Sequence, residues 1–405
     1  MTAEPVVLLR KPEAQGITYG RARLLLGVSG VGAWVVLATG LLLAEAPPKI
    51  LGWVGTELGV NVLVLLAALL GYVALHAGFD VIGGYVLPRR YGRSTQPFGS
   101  YAAGWIRGVG LHAGLMLAVA LAMLLASRGP GVPGMVIVGV AVSLLLLKWR
   151  VPLARQVGSH GPAEPSDALD EDVRVVDGRD VGFTGGIDGV FRPAGHVVPS
   201  RWVEELSADE LTLAIARRRR AVETGLWERG RWISLVFTWA GLGVAAGQVE
   251  GLAGTAGGVV QFSLVFTLWS FAGLLLLPTV TRRASHAVDA SLVESGTDPE
   301  ALRSLLSRLD AMQDGEPSRP GWIESIFHPI PNADSRVAGE GEGEREDQGQ
   351  AGAARGRPRR RVSRLAGYDT ARTAAFVSLS GLGLLGRAVH CNSGRPALWV
   401  FLPLD

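Results

Sequence analysis

Residues 207–225 read SADELTLAIARRRRAVETG, and this stretch carries the signals for both ends of a helix. Ser207 followed three residues later by Glu210 forms a capping box, in which each side chain accepts a hydrogen bond from the other residue's backbone amide. Gly225 suits the left-handed position just after a helix. Apolar residues recur at helical spacing and predict one buried face. They are Leu211, Ala214, Ile215 and Val222.

Four consecutive arginines, Arg217 to Arg220, lie in the second half of this helix. Four successive positions sweep around all sides of a helix, so at least one guanidinium must point toward the core. A buried guanidinium without a partner is costly. The alternative is a solvated basic helix lying beside anionic lipid headgroups.

The composition places the chain in the membrane class. Hydrophobic residues make up 48% of the 405 residues, and the mean hydropathy is +0.29. Long apolar runs predict six membrane spans and a weaker, glycine-rich seventh candidate. The six are 24–44, 58–79, 109–126, 132–147, 232–247 and 257–280, and the candidate is 373–389. Cys391 is the only cysteine, which excludes an intrachain disulfide.

Basic residues predict the orientation of these spans. Lys and Arg crowd the N-terminal segment and residues 80–107, 148–231 and 281–372, whereas the alternate loops are nearly free of them. Positively charged loops stay on the cytoplasmic side, so we expect a multi-pass protein of the cytoplasmic (inner) membrane with its main polar domain in the cytoplasm. Ala44-Glu45-Ala46 imitates a signal-peptide cleavage site, but the first apolar run is longer than a usual signal core.

The predicted organisation has four parts. Residues 1–150 form an N-terminal membrane region with four transmembrane helices, and residues 151–337 form a polar domain that includes a transmembrane hairpin at 232–280. Residues 338–364 are a charged, glycine-rich linker of a composition typical of disorder. Residues 365–405 contain the candidate seventh span.

Two further patterns in the polar domain predict local structure. Residues 182–191 read GFTGGIDGVF, which indicates a glycine-rich strand or hairpin and lacks the spacing of a dinucleotide-binding loop. The helix that leaves the membrane after residue 280 ends at Gly296, and Asp298 with Pro299 begins the next one. Its leucines and methionine are predicted to serve packing only; they are Leu302, Leu305, Leu306, Leu309 and Met312.

The order of these pieces resembles the HtpX and CAAX prenyl protease type of membrane zinc metalloendopeptidase. The matching pieces are VGFTGG at 181–186, SADEL at 207–211, the hairpin at 232–280, RRASHAVD at 282–289, DPEAL at 298–302, His328-Pro329 and Arg336-Val337. Together they cover about residues 175–337. The resemblance implies a mainly α polytopic membrane protein with a metallopeptidase-like α+β cytoplasmic domain, interrupted by a transmembrane helical hairpin.

The resemblance also implies a site, and the chemical residues of that site are replaced here. In the family, two histidines four apart hold zinc, a glutamate beside the first acts as base, and a glutamate on a later helix completes the ligands. The corresponding positions here are Arg217 and Ala221, then Arg218, then Ser285. Asp289, in a supporting position, and His328, near the site, are retained. The peptide-binding strand falls on Phe183, Thr184, Gly185 and Gly186.

No change of register restores a metal site on this helix. It contains no histidine, and Glu223 is its only carboxylate beyond the capping region. Arginine does not give up its proton to ligate a metal, and a divalent cation beside two guanidiniums would be repelled. We therefore expect no catalytic residues and no metal ligands among these positions, and no cofactor unless zinc is bound by atypical ligands.

The favoured function is a catalytically inactive pseudopeptidase that binds or regulates membrane polypeptides. Its expected partners are membrane lipids and membrane polypeptides or an active protease. The modest net charge of +3 gives no indication of nucleic-acid binding. One alternative is an active membrane metalloendopeptidase with atypical ligands. The other is a transporter, which the scarcity of paired ionisable residues disfavours, since only His76 and His112 lie inside or near a span.

Overall fold

The structure, a computed structural model, describes residues 17–92, 94–150, 152, 160–166, 169–178, 184–190, 193–249, 251–312, 331, 333–338 and 365–378. Its first half is helical. The helices are α1 (Tyr19–Leu43), α2 (Ala46–Val54), α3 (Leu58–Val81), α4 (Leu87–Arg90), α5 (Phe98–Ser127) and α6 (Val132–Lys148). A π-helical turn, Ile82–Val86, joins α3 to α4 without a break.

The second half contains a small sheet followed by helices. The strands are β1 (His160–Pro165), β2 (Val173–Gly178), β3 (Gly186–Asp188) and β4 (Gly195–Pro199). The helices are α7 (Ser200–Glu205), α8 (Ala208–Glu223), α9 (Leu226–Ala246), α10 (Ala256–Glu294), α11 (Pro299–Met312), α12 (Ala333–Ala338) and α13 (Thr370–Val377).

Helices form at all six predicted spans, and four of them are long and apolar enough to cross a membrane. These four are α1, the continuous helix 58–90, α5 and α10. Helix α6 is apolar but has 17 residues, and the first turns of α9 carry Glu228, Arg229 and Arg231. The chain is therefore a mainly helical, multi-pass membrane protein.

The sheet has the order β1-β2-β4-β3, so β3 lies at one edge of its described part. Strands β2 and β4 run parallel, and β3 pairs antiparallel with β4, with Gly186 opposite Val197. Gly185 has a φ of +74°, and a Cβ there would overlap the carbonyl oxygen of Val197, so only glycine fits. The described residues confirm the predicted glycine-rich hairpin.

Helix α8 has the ends that the sequence predicts. Both hydrogen bonds of the capping box are present, between Ser207 and Glu210, and Gly225 follows the helix with a φ of +70°. The apolar face is buried: Leu211, Ala214 and Ile215 pack with Trp202 of α7 and with Leu305 and Leu309 of α11. The Asp298 carboxylate caps α11 by accepting from the amides of Glu300 and Ala301. These local predictions are confirmed.

Helix α10 is a single helix of 39 residues, about 58 Å long, that continues from the apolar run into the polar half. Pro278 lies inside it, and Ser285 and Asp289 are buried on its polar end. This helix therefore brings two of the family positions to α8, which it contacts directly.

Residues 365–378, called here the inserted segment, are buried inside the molecule except for Leu365. The sequence predicts that this part of the chain belongs to a separate C-terminal segment with a candidate seventh span. Its described residues instead form a turn and the short helix α13, which pack against α6, α9 and α10. Residues 379–389 of the candidate span lie outside the described residues.

Candidate functional site

The four arginines of α8 have two kinds of surroundings. Arg217 and Arg218 are each 1% exposed, whereas the side chains of Arg219 and Arg220 are each 33% exposed. Two of the four guanidiniums point inward, which confirms the prediction that at least one lies on the core side of the helix. A fully solvated basic helix is therefore the wrong description.

Arg217 and Arg336 share one carboxylate. The Nε of Arg217 donates to Oδ1 of Asp289 at 2.6 Å, and the Nε of Arg336 donates to Oδ2 at 2.7 Å. All three side chains are at most 1% exposed. We call Arg217, Asp289 and Arg336 the buried triad; its formal charge is +1, because two guanidiniums face one carboxylate.

Arg218 ties the helix to the hairpin of β3 and β4. Its Nη1 donates to the carbonyl of Val197 at 2.8 Å, and its Nη2 donates to the carbonyl of Thr184 at 2.6 Å. The guanidinium lies 4.7 Å from the centroid of the Trp202 ring. Arg218, which the motif series aligns with the general base of the family, is therefore a cation that only donates hydrogen bonds.

The other family positions are buried in apolar packing. Ala221 is 0% exposed and packs with Trp227, Ala284 and Val288, the last two lying on either side of Ser285 in α10. Ser285 is 2% exposed. Thus the structure brings the α8 and α10 positions to one place, as the resemblance implies.

Of the predicted peptide-binding strand, Thr184, Gly185 and Gly186 lie beside the arginines, and Gly186 opens edge strand β3. Thr184 is buried and its carbonyl is taken by Arg218. Phe183 and His328 lie outside the described residues.

The residues at these positions do not fit zinc. One guanidinium, a methyl group and a hydroxyl stand at the three aligned ligand positions, where zinc would require nitrogen and carboxylate ligands, and a second guanidinium stands at the aligned base position. Within the described part of the chain, no group of three His, Cys, Asp or Glu side chains lies close enough to hold a metal ion.

The two outer arginines form ordinary surface pairs. Arg219 binds Asp170 at 2.7 Å and also donates to both oxygens of Asp172. Its hydrogen bond to Asp172 lowers the pKa of that carboxyl below its usual value. Arg220 donates from Nε to the Ser291 hydroxyl at 2.7 Å. Arg219 and Arg220 therefore lie at the partly exposed edge of the site, whereas Arg217 and Arg218 lie in its interior.

His196 lies in β4 next to Val197 and is 3% exposed. Burial is the main reason that its pKa falls from 6.5 to about 4, and the charge of Arg218 lowers it further. Asp172, whose Oδ2 is 3.4 Å from Nε2, opposes the shift but does not overcome it. His196 is therefore neutral at pH 7.

We expect the stability of the protein to fall as the pH falls from 6.5 toward 4. In that window the unfolded chain binds a proton at His196 and the folded chain does not, so acid favours unfolding by up to about 3 kcal/mol. Thermal unfolding in detergent at pH 7, 5.5 and 4.5 measures this loss. His196→Gln should flatten the profile across the window, and an equally steep profile in that variant would contradict the assignment.

The inserted segment lies against the buried triad. The Tyr368 hydroxyl is 3.3 Å from Nη1 of Arg217, and the Tyr368 ring packs in the same cluster as Ala221. The backbone of the segment is also held, since the amide of Tyr368 donates to the carbonyl of Leu226 at 2.9 Å. A Cβ on Gly230 would overlap the carbonyl oxygen of Tyr368, so α9 leaves room for the segment only because residue 230 is glycine.

The rest of the segment is fixed to three helices. Asp369 pairs with Arg150, which follows α6, at 3.3 Å, and both are buried. The Ser234 hydroxyl donates to the carbonyl of Thr370 at 2.8 Å. The Ala371 amide donates to the Thr281 hydroxyl at 3.1 Å. Sequence reasoning missed these residues, and the one available signal was the return of small and apolar residues after the charged linker.

A second polar cluster lies in the membrane half. The Nδ1 of His76 is 3.6 Å from Oδ1 of Asp80, four residues later in α3. Both side chains are at most 2% exposed. The Nε1 of Trp105 donates to Asp80 at 2.9 Å, so the pair links α3 to α5. The described helices therefore contain one pair of ionisable side chains beyond what the positions of His76 and His112 alone indicate.

The described residues form a mainly helical, multi-pass membrane protein with a small sheet, and this fold has a counterpart among solved structures. Among solved structures it is similar to Ste24p of S. mikatae, with a TM-score of 0.62 and 15% sequence identity over 79% of this chain and 86% of that chain. At this identity the likeness shows the fold alone, and it agrees with the resemblance given by the motif series.

The other two comparisons gave no match. No protein-family model matches the chain, and no curated protein matches it.

Proposed function

We propose that the protein is a catalytically inactive pseudopeptidase that binds or regulates membrane polypeptides. One observation carries this proposal: Asp289, which the motif series aligns with a position that supports the family's metal site, accepts hydrogen bonds from the guanidiniums of both Arg217 and Arg336. In a zinc enzyme the positive charge next to such a carboxylate comes from the histidines and the metal they hold. Here it comes from the protein itself.

The chemistry of peptide hydrolysis is removed at two levels. A metal would have to displace the buried guanidinium of Arg217, and moving a cation next to another buried cation is strongly unfavourable. The base position carries Arg218, whose guanidinium stays protonated at any ordinary pH and cannot accept a proton from water. Neither an electrophile nor a base remains at these positions.

The binding part of the architecture is retained. Strand β3 lies at the edge of the described sheet, where an extended peptide adds to a metallopeptidase-like sheet by backbone hydrogen bonds. The outer arginines of α8, Arg219 and Arg220, are one-third exposed and favour acidic partners, since guanidinium matches carboxylate geometry. We place this polar half on the cytoplasmic side of the inner membrane, where it would meet the cytoplasmic ends of membrane polypeptides and lipid headgroups.

The test is metal content and proteolysis of the purified full chain in lipid nanodiscs. We expect no stoichiometric zinc after equilibration with the metal, and no chelator-sensitive cleavage of casein or of a single-span model substrate. An active membrane metalloendopeptidase with atypical ligands predicts the opposite in both measurements. Chelator-sensitive cleavage by the wild-type chain would falsify the proposal.

The binding half of the proposal needs its own measurement. A photoreactive group at Asp188, on β3, should cross-link a single-span model helix that carries an acidic cytoplasmic segment. The matched control is the same helix with each Asp and Glu of the segment changed to Asn and Gln, which should cross-link much less. Equal cross-linking of the two helices contradicts recognition by the arginines.

A further inference from the structure

The inserted segment occupies the inner site in the manner of a bound peptide. Twelve of its residues, 366 and 368–378, are at most 5% exposed, among them the polar Asp369, Thr370, Arg372 and Thr373. Polar side chains are rarely buried this completely unless specific partners receive them. Several of its residues also have specific polar partners elsewhere in the protein, so the segment does not merely cover apolar surface; they are Tyr368, Asp369, Thr370, Ala371 and Ser378.

Successive residues at the start of the segment contact different parts of the site. Gly367 lies against Gly230 so closely that a Cβ on either residue would collide with backbone of the other segment. The Tyr368 hydroxyl meets Arg217, and the carboxylate of Asp369 meets Arg150. The site thus receives a small residue, then a tyrosine, then an acidic residue.

The far end of the segment is held by hydroxyl groups and one ring. The hydroxyl of Ser378 is 3.5 Å from that of Thr238 in α9. The Phe376 ring packs 5.8 Å from the guanidinium of Arg150, which also holds Asp369. One arginine therefore contacts the segment at both ends of its helix.

We propose that the groove between α6, α8, α9 and α10 is a peptide-binding site, and that the inserted segment is its tethered ligand. The external ligand is a polypeptide segment of the same chemistry, small-Tyr-acidic followed by a short helix, which exchanges with the tethered copy. This inference deepens the proposed function and depends on it for the identity of the external ligand. A tethered ligand is present at an effective concentration on the order of millimolar, so exchange needs a weakened tethered copy or an excess of peptide.

The test uses the full chain in detergent, in a Cys391→Ser background. The probe is a fluorescent synthetic peptide with residues 365–378, LAGYDTARTAAFVS. Asp369→Asn in the chain weakens the tethered copy, so we expect it to raise the apparent affinity for the peptide by about tenfold. A peptide with Gly367→Val should bind at least about tenfold worse, because the side chain meets Gly230.

A disulfide lock is the matched control. Thr238→Cys with Ser378→Cys places two thiols where hydroxyls are now 3.5 Å apart, within reach of a disulfide after a small shift. Oxidation should abolish peptide binding and reduction should restore it, in one and the same protein sample. The single variant Thr238→Cys should not respond to oxidation.

Three results would overturn the proposal. They are equal peptide binding by the oxidised and reduced lock, equal binding of the wild-type and Gly367→Val peptides, and no binding of either to a folded Asp369→Asn chain. Failure of the proposed function is a separate result. The peptide could exchange as expected while the acidic model helix fails to cross-link at Asp188. That result would support the groove and its tethered ligand but contradict the proposal that the protein binds membrane polypeptides.

Discussion

Asp289→Asn should destabilise the protein by about 3–5 kcal/mol, the largest effect that we expect from a single substitution in the described chain. Asparagine keeps the volume of the side chain but removes the charge that holds Arg217 and Arg336. The side-chain NH2 of asparagine would also face the Nε–H of either Arg217 or Arg336, so two hydrogen-bond donors would meet. Two buried guanidiniums would then face each other without a counter-charge. Thermal or urea unfolding in detergent measures the loss.

Two variants give this prediction its controls. Arg219→Gln breaks a pair on the same helix that is one-third exposed, and surface pairs of this kind contribute at most about 1 kcal/mol. Replacing the whole triad (Arg217→Met, Asp289→Leu and Arg336→Met) removes all three charges at once and should recover most of the stability. If Asp289→Asn is no worse than Arg219→Gln, the triad is not the buried ion network described here.

The second large effect is a gain of zinc binding. Arg217→His, Ala221→His and Ser285→Glu supply three ligands, and Arg218→Glu supplies the base. Positions 217 and 221 share a face of α8, and Ala221 packs beside the residues that flank Ser285. Asp289 would then support a ligand from behind, still paired with Arg336. We expect stoichiometric zinc in this variant and none in the wild-type chain.

The inserted segment sets a condition on this result. Ala221 is fully buried and shares its cluster with Ala366 and Tyr368, so an imidazole at residue 221 needs the space that these residues fill. Adding Asp369→Asn loosens the segment and should tighten zinc binding, as measured by competition with a chromophoric chelator. Catalysis demands finer positioning than binding, so we expect zinc before activity.

A shifted variant tests the register of the alignment. Histidines at 218 and 222, with glutamate at 285, keep the four-residue spacing but move both ligands around the helix by one position. This variant should not bind zinc. Equal zinc affinity of the two designs, or failure of both, means that the register on which the pseudopeptidase proposal rests is wrong.

Local patterns in the sequence were enough to predict the framework of the site. The capping box at Ser207 and the left-handed Gly225 fix α8 through neighbouring residues, and the glycines of β3 fix the hairpin in the same way. The expectation that an arginine on α8 turns inward followed from helical geometry alone. These features depend on residues a few positions apart, which a single sequence displays.

The partners of the arginines could not be read from the sequence because they come from remote parts of the chain. Asp289 is 72 residues from Arg217, and Tyr368 is 151 residues away. The composition of residues 365–378 does not indicate that they pack against α9, where Gly230 leaves room for the backbone of Tyr368. By contrast, His76 and Asp80 are four residues apart on one helix. The sequence alone could have predicted that pair. The predicted span ends at residue 79, so Asp80 falls just outside it.

The buried triad restricts how this protein can change over generations. Replacing Asp289 removes the only carboxylate of the triad and leaves two buried guanidiniums without a counter-ion, whereas replacing either arginine leaves a one-to-one ion pair with one donor fewer. A neighbouring solution, whether metal-binding or wholly apolar, is therefore reached by replacing an arginine first and not by replacing Asp289 first. Lineages that carry the triad should hold Asp289 nearly invariant, whereas Arg219 and Arg220, which follow in the sequence but are one-third exposed, should vary freely.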